Sequence, residues 1–302
     1  GEQGSGGAGE QGSGGAGEQG SGGAGEQGSG GAGEQGSGSV GAVRSPSWEG
    51  LGVGSAFRST ERSRRSLPFA FNWFDIEKEV RGYFDRVFVE MEDLREPKVA
   101  WWLARYLPEG TPLFISNSMP VRDMEWFWPL GDRHIQPYVN RGANGIDGIV
   151  STALGVAHRD RPSVLLTGDL AFLHDTNGLL MQAKLKGHLT IVLINNNGGG
   201  IFEMLPISQM EPPFEEFFAT PQVVAVSSLC QAYDIDHMVI KSWPHLAQCF
   251  SKWSFESTPY SREEAKEGVE VGPKEGIRVL EIRCDRRSDN QLRQALLKRE
   301  WQ

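Results

Sequence analysis

Four short apolar runs alternate with stretches of helical periodicity along this 302-residue chain. The runs are Leu-Phe-Ile at 113–115, Val-Leu-Leu at 164–166, Ile-Val-Leu-Ile at 191–194 and Val-Leu-Glu-Ile at 279–282. The helical stretches lie near 146–158, 176–187 and 222–234. Buried runs of strand length that alternate with helices are typical of a parallel sheet covered on both faces. We therefore predict an α/β fold with a doubly wound parallel sheet.

The N-terminal part of the chain has a different composition. Residues 1–41 repeat Gly-Glu-Gln-Gly-Ser-Gly-Gly-Ala and hold 20 of the 39 glycines, with too few apolar side chains to build a core. Apolar residues recur at helical spacing from Phe74 to Asp93, and Val99 to Leu107 follows the same pattern. The predicted organisation is a disordered Gly-rich repeat at 1–41, a linker at 42–73, a connecting helix at 74–94 and a globular domain at 95–298.

Composition excludes several classes of protein. No apolar run approaches the roughly 20 residues that span a bilayer, so we expect no membrane span and a soluble protein. The cysteines Cys230, Cys249 and Cys284 are too far apart for a zinc motif or a disulfide scaffold. The one cluster of arginines, at 58–65, lies in the predicted linker, and the formal net charge is −9, so we expect no nucleic-acid partner.

Polar and glycine-rich segments follow the predicted strands. They read Ser-Asn-Ser-Met-Pro-Val-Arg at 116–122, Thr-Gly-Asp-Leu at 167–170 and Asn-Asn-Asn-Gly-Gly-Gly at 195–200, with a glycine-rich turn at 140–148. In parallel α/β sheets ligands bind beyond the carboxyl ends of the strands. These segments therefore predict one binding site at that edge.

Asp169 and Asn196 are the candidate metal ligands. A carboxylate and an amide oxygen are hard ligands suited to Mg²⁺, which completes its octahedron with water and ligand phosphates. The turn from Gly142 to Gly148 opens a predicted helix, whose N–H groups could meet such phosphates. Taken singly, an Asp after a strand is often a helix cap and an Asn-Gly run is often a turn, but their combination on adjacent strand ends favours a site.

The same segments resemble those of a known enzyme family. Gly168-Asp169, followed at the start of the next polar segment by Asn195-Asn196, resembles the thiamine-diphosphate binding motif. The segments 117–122, 140–148, 168–180 and 195–202 are similar to those of 2-succinyl-5-enolpyruvyl-6-hydroxy-3-cyclohexene-1-carboxylate synthases, the MenD family of menaquinone and phylloquinone synthesis, in its plant and cyanobacterial branch. The resemblance covers residues 95 to 298 and implies the diphosphate-binding domain of the thiamine-diphosphate-binding fold.

The resemblance implies a role for individual residues. Mg²⁺, with Mn²⁺ as an alternative ion, would be held by Asp169, Asn196 and the carbonyl of Gly198. Thiamine diphosphate would contact Gly145, Ile146, Gly168, Asp169, Leu170, Asn196 and Ile201, with Ile146 as the prop beneath the coenzyme. The substrates 2-oxoglutarate and isochorismate would contact Ser118, Arg122, Arg141, Ile201, Phe202 and Leu205. Arginine suits such substrates because its guanidinium binds carboxylates bidentately.

The implied activity is that of a thiamine-diphosphate-dependent transferase, which decarboxylates 2-oxoglutarate and adds the succinyl carbanion equivalent to isochorismate. The family's pyrimidine-binding domain has no counterpart in these residues, and it carries the glutamate that activates the coenzyme. We therefore expect no catalytic residue in this chain, a pyrimidine-binding domain supplied in cis or by another chain, and a homo-oligomer when the enzyme is complete. The plant-like motifs indicate a plastid, with the cytoplasm as the alternative.

Three interpretations of the sequence stay open. The chain is a fragment or split-gene part of a MenD-type enzyme, active only when the other half is present. It is part of another thiamine-dependent 2-oxo-acid decarboxylase or synthase, against which Arg122 and Arg141 argue because apolar substrates need no such pair. Or it is a non-catalytic fragment that binds the coenzyme or a partner chain.

Overall fold

The computed structural model describes residues 68–159, 161–251 and 275–298. The predicted repeat at 1–41 and most of the predicted linker lie outside the described residues. The helices are α1 (Pro68–Glu90), α2 (Glu96–Tyr106), α3 (Met119–Phe127), α4 (Ile149–Ala157), α5 (Asp169–His174), α6 (Val226–Ala232), α7 (Trp243–Phe250) and α8 (Arg286–Leu297). The strands are β1 (Pro112–Ile115), β2 (Gln136–Val139), β3 (Ser163–Gly168), β4 (His188–Asn195), β5 (Asp236–Val239) and β6 (Gly276–Arg283).

The six strands form one sheet in the order β2-β1-β3-β4-β6-β5, and every pair is parallel. Each of the four apolar runs lies in a strand, so the predicted α/β parallel sheet is confirmed. The chain passes from β1 outward to β2 and then returns to the other side of β1 as β3. Such a reversal of strand order opens a crevice at the carboxyl ends of the strands.

Alternate residues of the central strands enter two hydrophobic cores. Val164 and Leu166 of β3 pack in a core with residues of α1, α2, α3, α7 and α8. Leu165, between them in sequence, packs in a second core with residues of α4, α5 and α6. Because successive side chains of a strand point to opposite faces, one strand serves both cores. The sheet is therefore doubly wound, as predicted.

Helix α1 packs on the same core as the rest of the described chain. Phe84 and Phe88 are buried, and the Phe88 ring lies 5.4 Å from that of Phe127 in an edge-to-face arrangement. The helix ends at Glu90, four residues before the predicted end of the connecting helix. The domain boundaries themselves stay predictions.

Two strands and one helix differ from the sequence expectation. Strands β2 and β5 lie at the two edges of the sheet, and neither contains the buried apolar run from which the other strands were predicted. The predicted helix near 176–187 is a 3₁₀ helix over Thr176–Lys184. A side chain at Gly178 would stand 2.7 Å from the Ser151 hydroxyl, so this segment lies tightly against α4.

Candidate functional site at the carboxyl ends of the central strands

The carboxyl ends of β1, β3 and β4 are neighbours in the sheet. Gly168, the last residue of β3, pairs with Ile194 of β4, and the Ser116 N–H beyond β1 donates to Leu166 O at 2.9 Å. Asp169 directly follows the end of β3, and Asn196 directly follows the end of β4, so both leave the sheet at the same edge. The predicted convergence of the polar segments holds for these three strand ends.

Asp169 is a buried carboxylate that binds backbone N–H groups. Its Oδ1 accepts from Leu170 N at 2.7 Å and its Oδ2 accepts from Gly198 N at 2.8 Å. Burial raises the pKa of Asp169 to about 6, the charge of Glu96 adds to the rise, and the two N–H bonds oppose it. Within the described residues no cationic side chain forms a salt bridge with it. Such a carboxylate is suited to a bound cation.

Asn196 lies in the segment after β4 whose Gly198 N–H binds the Asp169 carboxylate. The residue is 5% exposed, and its Nδ2 donates to Glu96 Oε2 at 3.0 Å. Its Oδ1 is buried and has no hydrogen-bond partner among the described residues. A buried polar atom without a partner is costly, which makes this oxygen a natural ligand position for an ion.

Gly198 has a conformation that only glycine adopts without strain. Its φ is +129°, and a Cβ there would lie 2.3 Å from Ala219 O. Its carbonyl accepts from Gly200 N at 2.9 Å, which leaves one of the two oxygen lone pairs for another partner. Together with Asp169 and Asn196 it offers oxygen ligands of the type that Mg²⁺ prefers, so the residues present fit the metal that the resemblance implies.

The glycine-rich turn is fastened to the end of β1 by Asn117. The Asn117 Nδ2 donates to Gly145 O at 2.7 Å, and its Oδ1 accepts from Arg141 Nη1 at 2.9 Å. Asn117 itself is 1% exposed. This buried amide thus fixes the position of both Gly145 and Arg141 relative to the sheet.

The helix after this turn begins later than the sequence indicated. Helix α4 begins at Ile149, with Gly148 in the left-handed region at φ +64°, so Ile146 lies before the helix and is partly buried against the second core. The Ser151 N–H in its first turn donates to Asp175 Oδ2 at 2.7 Å. A carboxylate therefore already holds one of the N–H groups that the sequence analysis assigned to phosphate.

The two candidate substrate arginines line one cleft. Arg122, near the start of α3, and Arg141, in the glycine-rich turn, are both exposed and border a cavity of about 530 Å³. Ile115, Met124 and Trp128 contribute apolar parts of its wall. Two guanidinium groups beside apolar side chains are suited to a carboxylate ligand with a hydrocarbon part.

The remaining candidate contacts lie on other segments. Ser118 precedes α3 with φ +73° and is half-buried. Ile201 and Phe202 lie in a 3₁₀ helix after β4, Leu205 follows it with 48% exposure, and the rings of Phe202 and Phe218 are 5.7 Å apart. Among the described residues, the lining of the arginine cleft includes none of these four candidates.

Three functional candidates were missed by the sequence analysis. They are Glu96, which binds Asn196, Asn117, which binds the turn, and Arg286, whose Nη1 donates to Asn197 O at 2.8 Å. These contacts join residues 100, 28 and 89 positions apart in the chain. A single sequence carries no signal for contacts at such separations.

Comparison with known proteins identifies the domain. Residues 128–259 match the family model of the thiamine pyrophosphate enzyme C-terminal TPP binding domain. The 2-succinyl-5-enolpyruvyl-6-hydroxy-3-cyclohexene-1-carboxylate synthase of Synechococcus sp. (strain JA-3-3Ab) is 52% identical over 235 residues, which are 78% of this chain and 36% of that protein. The synthase of Trichormus variabilis is 53% identical over 221 residues, 73% of this chain and 35% of the relative.

Among solved structures, the benzoylformate decarboxylase from Polynucleobacter necessarius aligns with 64% of this chain and 33% of its own, at 18% identity and a TM-score of 0.48.

Among the described residues no helix has the length and apolar character needed to span a membrane.

The doubly wound sheet and the family match define a thiamine-pyrophosphate-binding domain of the C-terminal type. The chain belongs to the 2-succinyl-5-enolpyruvyl-6-hydroxy-3-cyclohexene-1-carboxylate synthase family, and the resemblance stated from the motifs is confirmed. It spans about a third of the length of the curated relatives it matches.

Proposed function

We propose that this chain is the diphosphate-binding part of a thiamine-diphosphate-dependent synthase that decarboxylates 2-oxoglutarate and adds the succinyl unit to isochorismate. Thiamine diphosphate, when bound, supplies the electron sink for the decarboxylation. In this proposal Asp169, Asn196 and the Gly198 carbonyl would hold Mg²⁺, which would supply the positive charge that the diphosphate needs. The observation that carries it concerns two buried side chains at the strand ends of a thiamine-pyrophosphate-binding domain. Among the described residues Asp169 forms no salt bridge, and the Oδ1 of Asn196 has no hydrogen-bond partner.

The proposed coenzyme contacts surround this metal site. They are Gly145, Ile146, Gly168, Leu170 and Ile201. Support for Gly145 comes from Asn117, which holds its carbonyl at a fixed place beyond β1. Leu170 follows the metal ligand directly, and its N–H donates to the Asp169 carboxylate at 2.7 Å.

The proposed substrates are dicarboxylates, and the cleft supports them. Arg122 and Arg141 would bind their carboxylates, while Ser118, Ile201, Phe202 and Leu205 complete the proposed pocket when the rest of the enzyme is present. Two guanidinium groups at one cleft favour a dicarboxylate over the apolar substrates of other thiamine-dependent 2-oxo-acid enzymes. In this proposal the activating glutamate lies in the pyrimidine-binding domain, which is supplied in cis or by another chain, and the complete enzyme is a homo-oligomer.

A hybrid enzyme tests the proposed reaction. The matched 235-residue region of the Synechococcus relative is replaced by that of this chain, and loss of isochorismate is followed with 2-oxoglutarate, thiamine diphosphate and Mg²⁺. We expect turnover in the hybrid, none in its Asp169→Ala variant, and unchanged turnover in Asp132→Ala, which removes an exposed acid. A folded hybrid that binds the coenzyme but leaves isochorismate intact would contradict the reaction and favour a non-catalytic binding role.

A further inference from the structure

The amide of Asn196 has one orientation fixed by its neighbour. The side chain is buried, and its nitrogen faces Glu96 Oε2 at 3.0 Å. A carboxylate only accepts hydrogen bonds, so it can face the NH₂ end of an amide but not the oxygen end. The Oδ1 of Asn196 is therefore turned away from Glu96, and it is this atom that has no partner among the described residues.

Glu96 is itself held in place. It is the first residue of α2 and is 3% exposed, and its Oε2, the same oxygen that binds Asn196, lies 2.8 Å from Arg293 Nη2. Arg293 is fully buried and also donates to both oxygens of Asp123, at 2.7 and 2.6 Å. A carboxylate fixed in this way cannot swing aside and let the amide turn over.

We propose that Glu96 is a positioning residue for the metal site, which keeps the Asn196 oxygen free for the cation by binding the amide nitrogen. This inference rests on the metal site of the proposed function. Residues that orient the ligands of a metal are often needed for tight binding, and their loss typically costs 10-fold to 100-fold in affinity. Without Glu96 the amide could rotate and present its NH₂ group, which cannot bind a cation.

Two substitutions separate positioning from charge. Glu96→Gln keeps an oxygen that can accept from both Asn196 and Arg293, while Glu96→Met has a similar length and accepts from neither. Thiamine diphosphate and Mn²⁺ are titrated into the full chain, and the concentration of free Mn²⁺ is measured by electron paramagnetic resonance. We expect Glu96→Met to weaken Mn²⁺ binding at least about tenfold and Glu96→Gln to stay within about threefold of the original chain.

Asp123→Asn is the matched control, because Asp123 binds the same Arg293 and is equally buried but makes no hydrogen bond to Asn196 among the described residues. We expect it to lower the urea midpoint of unfolding without changing Mn²⁺ affinity. The proposed role of Glu96, but not the metal site, would be overturned by either of two results. One is an equal loss of Mn²⁺ affinity in Asp123→Asn and Glu96→Met, and the other is an unchanged Mn²⁺ affinity in Glu96→Met. Absence of Mn²⁺ binding in the original chain would overturn the metal site and, with it, this inference.

Discussion

Asp169 and Asn196 come close because each follows a strand and the two strands are neighbours. β3 and β4 pair in parallel register up to Gly168 and Ile194, so the residues after them leave the sheet at the same edge. Both side chains are buried there, where an acid or amide must find a partner. Asp169 uses backbone N–H groups, whereas the Asn196 oxygen has no partner among the described residues.

Asp169 and Asn196 could be predicted from the sequence, whereas the residues that hold the site in place, Glu96 and Asn117, could not. A strand end is visible in a single sequence as an apolar run followed by polar residues, and Asp169 and Asn196 each stand at such a point. Glu96 and Asn117 act through contacts with distant segments, and nothing local to a Glu-Pro or a Ser-Asn-Ser sequence reveals them. Their roles depend on the folded sheet.

Arg141→Ala tests the proposed substrate contact at the scale of one side chain. We expect the hybrid enzyme to bind thiamine diphosphate as before, because Asn117 still holds the Gly145 carbonyl. We expect the KM for a dicarboxylate substrate to rise about 10-fold to 100-fold, the worth of one charged hydrogen-bonding group. Steady-state kinetics measure both substrates.

Arg141→Lys is the companion variant, since it keeps the charge and loses the bidentate fork. A KM for both substrates that is unchanged in Arg141→Ala would remove this residue from the proposed pocket.

At the scale of elements, α8 fixes the loop that follows β4. Arg286, the first residue of α8, donates through Nη1 to Asn197 O at 2.8 Å and through Nε to Glu203 at 2.9 Å, and it also binds Glu215. Arg286 and Glu203 are both buried. One guanidinium therefore joins the Asn-Asn-Asn-Gly segment to the 3₁₀ helix beyond it.

Arg286→Ala should lower the free energy of unfolding by about 3 kcal/mol. The buried carboxylate of Glu203 loses its bond to Arg286 Nε at 2.9 Å and keeps only Arg287 Nε, which lies 3.9 Å away. The control is Arg287→Ala. Arg287 binds Glu211 and Glu215 at 3.1 Å and lies 3.9 Å from Glu203, but its side chain is 58% exposed, so we expect a loss of no more than about 1 kcal/mol. Urea unfolding of the two variants compares them, and equal losses would contradict the structural role of Arg286.

The sheet was predictable in its centre and not at its edges. β3 and β4 are buried on both faces and read as apolar runs, which is the pattern of a central parallel strand. β2 is exposed throughout and contains Pro137, and β5 alternates exposed with half-buried residues. Edge strands of this kind are formed by pairing with a neighbour, so their own residues give little indication of them.

At the scale of the whole molecule, the segment between β4 and α6 carries exposed apolar side chains. Those of large size are Leu205, Met210, Phe217, Val223 and Val224, with Phe217 at 68% exposure. Large exposed apolar surface is typical of contact with another domain or chain. The chain spans about a third of its relatives, whose other domains could cover this segment.

We therefore expect the 302-residue chain to self-associate in solution. Sedimentation velocity over a range of concentrations measures this, and the variant Phe217→Ser should reduce the association because it removes the largest of these side chains. A monomer at every concentration would contradict the expectation that this surface needs a partner.

The measurement that tests the central claim most directly is calorimetric titration of thiamine diphosphate into the 302-residue chain, with Mg²⁺ and then with EDTA. If Asp169 and Asn196 hold Mg²⁺ on the diphosphate, binding will be seen with Mg²⁺ and lost both in EDTA and in the Asp169→Ala variant. Binding by Asp169→Ala that equals that of the original chain in Mg²⁺ would contradict the assignment of the metal site.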